Sequence, residues 1–242
     1  MNREYHRWHS PRLGRDMELL VFGHAGARVI VFPSRCGRFY DYENWGIANA
    51  LRQKIEHGLL QLICVDSVDA ESFYCNWCPP RDRIRRHLLY EEYILNEVIP
   101  FTHARNANPA LIAHGCSLGA YHAVNISFRH PHLFCKVVAL SGRYDLTSEI
   151  GSFRNLFEGY YDEDIYFNSP SHFVPNITDP DLLHLLRRLE VILVIGKADA
   201  FLGNNILLSQ ILGEKGIQPT FHVWDDEAHA ARYWRKMVFH YL

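Results

Sequence analysis

Three residues far apart in the chain have the types and surroundings needed for nucleophilic attack on an acyl group: Ser117, Asp199 and His229. Ser117 is the centre of Gly115-Cys116-Ser117-Leu118-Gly119, a Gly-x-Ser-x-Gly string. Composition alone would produce that string in a chain of this length with a chance of about 0.08, so its context has to carry the argument. The strand-like Ala110-Leu-Ile-Ala-His114 precedes it and a helical stretch opens at Leu118. A sharp strand-to-helix turn holds its central serine in a strained conformation. The positions two away must be small for strand and helix to approach, and Gly115 and Gly119 meet that need. Cys116, one place off the apex, is expected to point away from the cleft.

A serine hydroxyl is a weak nucleophile near neutral pH unless a base takes its proton, and the base needs an acid to hold its tautomer. A serine in such a turn takes both from the ends of later strands, in the chain order Ser, Asp/Glu, His. Asp199 stands just past an apolar run in Ile195-Gly-Lys-Ala-Asp199, and His229 follows the next one in Trp224-Asp-Asp-Glu-Ala-His229. Asp145, Asp225 and Asp226 are rival acids, with Asp199 preferred. Of fifteen histidines, His222 falls inside a strand and His240 at the chain end, which leaves His229 as the preferred base. Other histidines read as surface or polar-core residues.

Short apolar, β-rich segments at 28–32, 60–65, 110–114, 136–140, 190–195 and 220–224 read as strands, the last five as strands buried on both faces. Residues 18–23 add a strand before a Gly-rich turn, and 4–9 a possible edge strand. Helical stretches fall at about 43–57, 82–99 ending at Pro100, 118–129, 204–214 and 230–241. In the third, Leu118, Tyr121, Val124 and Phe128 share one face. This alternation predicts a mostly parallel sheet with helices on both faces and antiparallel N-terminal strands at one edge. Residues 145–188, rich in aromatics, acids and prolines, break the rhythm. They are either a cap-like insertion over the cleft or an ordinary packed excursion.

The chain has 242 residues, 48% of them hydrophobic, a size that suits one domain spanning 1–242. With 25 Lys+Arg and 27 Asp+Glu the formal net charge is −2, too even to drive binding to nucleic acid or an anionic membrane. Arg81, Arg83, Arg85 and Arg86 lie among acids and read as a mixed helix surface. No run could span a bilayer and no signal-peptide core opens the chain, so a cytoplasmic protein is expected. Of the six cysteines, Cys75-Asn-Trp-Cys78 alone has ligand-like spacing. No second pair completes a zinc site, and Pro79-Pro80 suits an extended loop better than a redox helix start. The cysteines therefore read as scattered thiols in a reducing compartment, and neither a metal nor a cofactor is expected.

Several stretches together resemble the α/β-hydrolase superfamily, and within it the esterase D-like group of S-formylglutathione hydrolases, enterochelin-type esterases and mycolyltransferases. They are residues 115–123, Arg129-His-Pro-His-Leu-Phe134, Leu140-Ser-Gly-Arg-Tyr-Asp145, Gly196-Lys-Ala-Asp199, and His229 ahead of Tyr233-Trp234-Arg235. The resemblance covers nearly the whole chain. It implies a single-domain fold with an eight-stranded sheet, and ester or thioester hydrolysis of a small molecule by Ser117, Asp199 and His229. Two departures stand out. Relatives place His-Gly after the third strand, where a backbone amide completes the oxyanion hole, whereas this chain has Phe32-Pro-Ser-Arg-Cys-Gly37. A backbone donor tolerates a change of side chain, so the amides of Leu118 and Arg35 (or Ser34) take that role. The base motif reads His229-Ala-Ala-Arg-Tyr-Trp234 rather than His-Asp-Trp-x-x-Trp. An acyltransferase on the same triad and a catalytically silent binding scaffold are the alternative readings. A homo-oligomer is compatible with the sequence, and a preference for short acyl chains is suggested by the aromatic insertion.

Overall fold

In the computed structural model, which describes residues 1–242, the chain opens with a hairpin, β1 (Arg3–Ser10) and β2 (Arg15–Phe22), followed by β3 (Ala27–Phe32). Three short helical turns, α1 (Asp41–Asn44), α2 (Ile47–Ala50) and α3 (Arg52–Glu56), lead to β4 (Leu60–Val65). Then come α4 (Pro80–Tyr93), a π-helical turn at Ile94–Val98, α5 (Ile99–Arg105), β5 (Leu111–Cys116), α6 (Leu118–Arg129) and β6 (Lys136–Leu140). The excursion after β6 holds α7 (Glu163–Phe167), α8 (Pro170–Phe173) and α9 (Pro180–Arg188). The chain finishes with β7 (Glu190–Gly196), α10 (Leu202–Glu214), β8 (Thr220–Trp224) and α11 (Ala231–Tyr241).

One eight-stranded sheet has the order β1-β2-β4-β3-β5-β6-β7-β8. The two N-terminal strands pair antiparallel at one edge and the rest run parallel, as the alternating pattern predicts. Strand residues alternate between two cores. Ile30, Phe32, Val137 and Ala139 pack on one face with Ala120, Ala123 and Val124 of α6. Val29, Val31, Val138 and Leu140 pack on the other with Trp234, Met237 and Val238 of α11. The fold is a single-domain α/β fold with helices on both faces, and no helix is long and apolar enough to cross a membrane.

Five local expectations need correction. The helix foreseen over 43–57 is broken into α1, α2 and α3, with Gly46 at φ 70° reversing the chain between the first two; a left-handed residue cannot continue a right-handed helix. The helix foreseen to stop at Pro100 runs on to Arg105, the π-helical turn just before Pro100 accommodating its missing N–H. Pro79 and Pro80 do not extend a loop: Pro80 opens α4, where its absent N–H would have been unpartnered anyway. Thr220–Trp224 is an edge strand, only partly covered because nothing pairs beyond it. In α6, every residue from Leu118 to Phe128 is buried, so the helix is wrapped on all sides rather than along one face.

Candidate active site

β5 delivers the serine and α6 leads away from it, and between them Ser117 adopts φ 57°, ψ −122°. The two glycines are required by backbone contact. A Cβ on Gly115 would lie 2.2 Å from the Gly119 carbonyl carbon, and one on Gly119 would lie 2.3 Å from the Phe32 oxygen. The second contact also shows that the loop after β3 lies directly against the turn. Ser34 Oγ fastens it there by donating to the Cys116 carbonyl at 3.1 Å.

Asp199 and His229 reach the serine from the loops after β7 and β8. Ser117 Oγ–H donates to His229 Nε2 at 3.0 Å, and His229 Nδ1–H donates to Asp199 Oδ2 at 2.8 Å. Asp199 is buried, and its second oxygen accepts the Phe201 N–H at 2.9 Å. Backbone bonds staple the two loops: Lys197 N–H to the Trp224 carbonyl at 2.7 Å and Ala198 N–H to that of Asp226 at 2.8 Å. Gly196 allows this, since a Cβ there would sit 1.8 Å from the Glu227 oxygen. Two of the three rival acids are engaged elsewhere, Asp145 with Thr147 and His172 and Asp226 with the Tyr233 hydroxyl, and Asp225 is exposed. His222 stacks on Tyr241.

Arg35 and Leu118 both line the cavity over the serine, and neither backbone N–H has a partner within the chain. Leu118 begins α6, so its amide also carries the positive end of a 12-residue helix. Cys116 is fully buried with its sulfur 2.9 Å from the Tyr42 hydroxyl, turned away from the cleft as expected. Burial pushes its thiol up to about 12. The Cys36 thiol in the cavity wall is raised by burial and by Asp69, so neither competes as a thiolate near neutral pH.

The cavity holds about 420 Å³ and is also walled by Trp45, Tyr74, Arg143, Leu146, Phe153 and Phe201. Of the excursion at 145–188, Leu146 and Phe153 reach it. Leu156, Phe157 and Ile165 pack into a separate small core with Phe73, Ile84 and Tyr121. The excursion therefore supplies part of one cavity wall and packs its other aromatics on a flank. The cysteine reading is corrected too: Cys75 and Cys78 form a disulfide, a turn bringing their Cα atoms to 5.3 Å. The other four are free.

Sequence reasoning missed several positioning groups. Ser141, at φ 55°, donates to the Ala228 carbonyl at 3.3 Å and accepts from Trp234 Nε1 at 3.1 Å, setting the residue before His229. Asp69 accepts the Cys36 N–H at 2.9 Å and meets His122 Nε2 at 3.2 Å, bracing the loop that carries Arg35. Arg143 ties down the start of the excursion by donating to the carbonyls of Asp145, Ser148 and Arg154. The Leu140–Asp145 string contains two of these residues, but nothing in it signals the distant partners of Ser141 or the carbonyls that curl around Arg143.

With this geometry in place, the family can be assigned. The family model described as "Putative esterase" matches residues 10–236. The chain belongs to that esterase family. It is an enzyme acting on ester bonds, and its substrate is a small-molecule ester. A search of curated proteins gives no match. Among solved structures, a ferulic acid esterase superposes with a TM-score of 0.77 at 17% identity, covering 99% of this chain and 95% of that one. A fluorophosphonate-binding serine hydrolase of Staphylococcus aureus superposes with a TM-score of 0.75 at 17% identity over 99% and 96%. An S-formylglutathione hydrolase from Agrobacterium tumefaciens gives 0.75 and 17% over 98% and 92%. At that identity these likenesses speak to the fold.

Proposed function

We propose that this esterase is a cofactor-independent serine hydrolase working through an acyl-enzyme on Ser117. The observation that carries the reading is the unbroken line from Asp199 through His229 to Ser117, with contacts of 2.8 and 3.0 Å. His229 Nε2 takes the hydroxyl proton as Oγ attacks the carbonyl, and later returns it to the leaving oxygen or sulfur. Asp199, an acceptor only, keeps the imidazole proton on Nδ1 and stabilises the cation formed in transit. The developing oxyanion lies between the amides of Leu118 and Arg35, whose lack of other partners suits them to it.

Water then attacks the acyl-enzyme with His229 as base. The His229 side chain keeps 20% of its exposure, so solvent reaches the atom that must activate it, which favours hydrolysis over transfer to another alcohol. The intact contact line argues against a silent scaffold. The test is fluorophosphonate labelling together with p-nitrophenyl ester turnover by the wild type and Ser117→Ala. Loss of labelling and a fall of about 10⁴–10⁶ in kcat are expected for a triad acting as a unit. A folded wild-type protein that is neither labelled nor active overturns the reading.

A further inference from the structure

The cavity over Ser117 carries a positive charge that no ion pair within the chain neutralises. Arg143 is 5% exposed. Its Nε donates to the Asp145 carbonyl at 3.1 Å, and Nη2 to the carbonyls of Ser148 and Arg154 at 2.7 and 2.8 Å. All three acceptors are neutral, and Nη1 has no partner. The nearest acid in sequence, Asp145, turns its carboxylate to Thr147 and His172 instead. A guanidinium taken so far out of water without an anion is costly, and that desolvation holds its pKa below the ordinary value. The three carbonyl bonds, the field of the nearby Asp145 carboxylate and the Phe201 ring, 5.9 Å from the guanidinium carbon, recover only part of such a cost. Phe201 in turn packs against His229 at 6.0 Å between ring centres, which places the cation along the wall beside the reacting groups.

A second cation shares the cavity. Arg35 forms no ion pair and lies over the Tyr74 ring at 5.6 Å. Against these two stands one lining carboxylate, Asp41, whose Oδ2 is engaged by the Arg38 N–H at 2.9 Å. A small, partly aromatic cleft with two arginines and one tethered acid is complementary to an anion, and the free Nη1 of Arg143 can give a carboxylate a charge-assisted hydrogen bond.

We propose that the substrate is an ester or thioester bearing a free carboxylate, which Arg143 binds with help from Arg35. This rests on the serine-hydrolase reading and specifies its substrate class. The carboxylate can sit on either side of the scissile bond within about 420 Å³ of cavity, and the assay separates the two.

The experiment compares kcat/KM for two matched pairs. The p-nitrophenyl monoester of glutaric acid against p-nitrophenyl pentanoate tests a carboxylate on the acyl side. p-Acetoxybenzoate against its methyl ester tests the leaving side. In one pair the charged ester is expected to be preferred, and that preference is expected to fall about 10- to 100-fold in Arg143→Gln, the range of a charge-assisted hydrogen bond. Arg143→Lys retains part of it. Arg143 also holds loop carbonyls, so two further arms do not depend on that variant folding. Arg35→Gln lowers the same preference, and free glutarate inhibits the wild type competitively in a salt-sensitive way. A wild type that prefers the neutral ester in both pairs, or a preference unmoved in Arg35→Gln and in folded Arg143→Gln, overturns the proposal. Fluorophosphonate labelling run alongside separates the two ideas: if it persists while the preference is absent, the substrate class is wrong and the nucleophile stands. If it is absent from folded wild type, the hydrolase reading fails with it.

Discussion

Removing the Asp69 carboxylate is expected to slow the chemical step although Asp69 touches neither the serine nor its base. Arg35, the proposed amide donor, is flanked by two fixed residues: Ser34 Oγ bonds the Cys116 carbonyl at 3.1 Å, and the Cys36 N–H bonds Asp69 Oδ2 at 2.9 Å. Cys36 is at φ 52°, a left-handed conformation that costs a side-chain-bearing residue about 1–2 kcal/mol. The bond from a buried carboxylate, worth about 1.5–3 kcal/mol, offsets that strain. In Asp69→Ala the strain remains and the brace is gone, so the loop relaxes and the Arg35 amide drifts from its aim. The released bond energy corresponds to a loss of about 10- to 100-fold in kcat, below the ceiling of about 10²–10³ set by deleting one oxyanion donor outright. Asp69→Asn keeps a neutral acceptor for the Cys36 N–H and is expected to lose less than about 10-fold. Steady-state turnover of a p-nitrophenyl ester reads the effect, with circular dichroism melting to confirm folding. The signature is a graded fall in kcat, wild type above Asn above Ala, with KM little changed. A folded Asp69→Ala enzyme with kcat within about twofold of wild type, or a loss confined to KM, would refute the bracing argument.

Two further outcomes follow from packing and charge. Gly119→Ala drives a Cβ to 2.3 and 2.7 Å from the Phe32 and Pro33 carbonyl oxygens. These are backbone atoms that cannot swing aside, so a loss of about 3 kcal/mol is expected, or about 6–12 °C in Tm by calorimetry. Gly203→Ala in α10, where a Cβ meets nothing within 4 Å, is expected instead to gain up to about 1 kcal/mol from helix propensity, so equal Tm values for the two variants would contradict the steric account. Burial alone would raise the Glu91 carboxyl, but its contacts with His130 and Arg129 prevail and hold it down to about 2 from an ordinary 4.5. A depressed carboxylate contributes stability above its unfolded pKa that is lost as pH falls through its folded one. On the order of 3 kcal/mol should therefore disappear between about pH 5 and pH 2. Urea midpoints across that window should fall less steeply for Glu91→Gln, and parallel curves would show that the pair is not the cause.

The sheet was legible because parallel strands buried on both faces need runs such as Val191-Ile-Leu-Val-Ile195, and few other structures do. The contact line from Asp199 through His229 to Ser117 was legible for a related reason: the turn demands glycines at fixed offsets, and the residues that meet the serine come in a fixed chain order from strand ends. Where sequence reading failed, the deciding feature left no distinctive mark in composition or pattern. Nothing near Pro100 announces that a π-helical turn will carry the helix past it. Nothing in Glu43–His57 except Gly46 marks three turns rather than one helix. The excursion after β6 stayed ambiguous because aromatics and prolines have the same composition whether they cover a cleft or pack on a flank. Cys75 and Cys78 looked like free thiols because the turn that pairs them is visible only in the fold.

In the proposed mechanism the loop after β3 departs from the family string without disturbing the chemistry and adds to it. What the site asks of that loop is one amide in a fixed place. The backbone supplies it, held by Ser34, by Asp69 and by the close approach of Gly119 to the Phe32 and Pro33 carbonyls. None of these constraints uses the side chain at position 35. An arginine there can therefore lie over Tyr74 and face the cavity without disturbing the donor that its own peptide unit provides. The substitution that weakens the resemblance to relatives is the one that, together with Arg143, gives this cavity its charge. Reading specificity from position 35 and catalysis from its amide assigns the two roles to different atoms of one residue. Arg35→Gln should then shift substrate preference while kcat on a neutral ester falls far less than it does in Asp69→Ala.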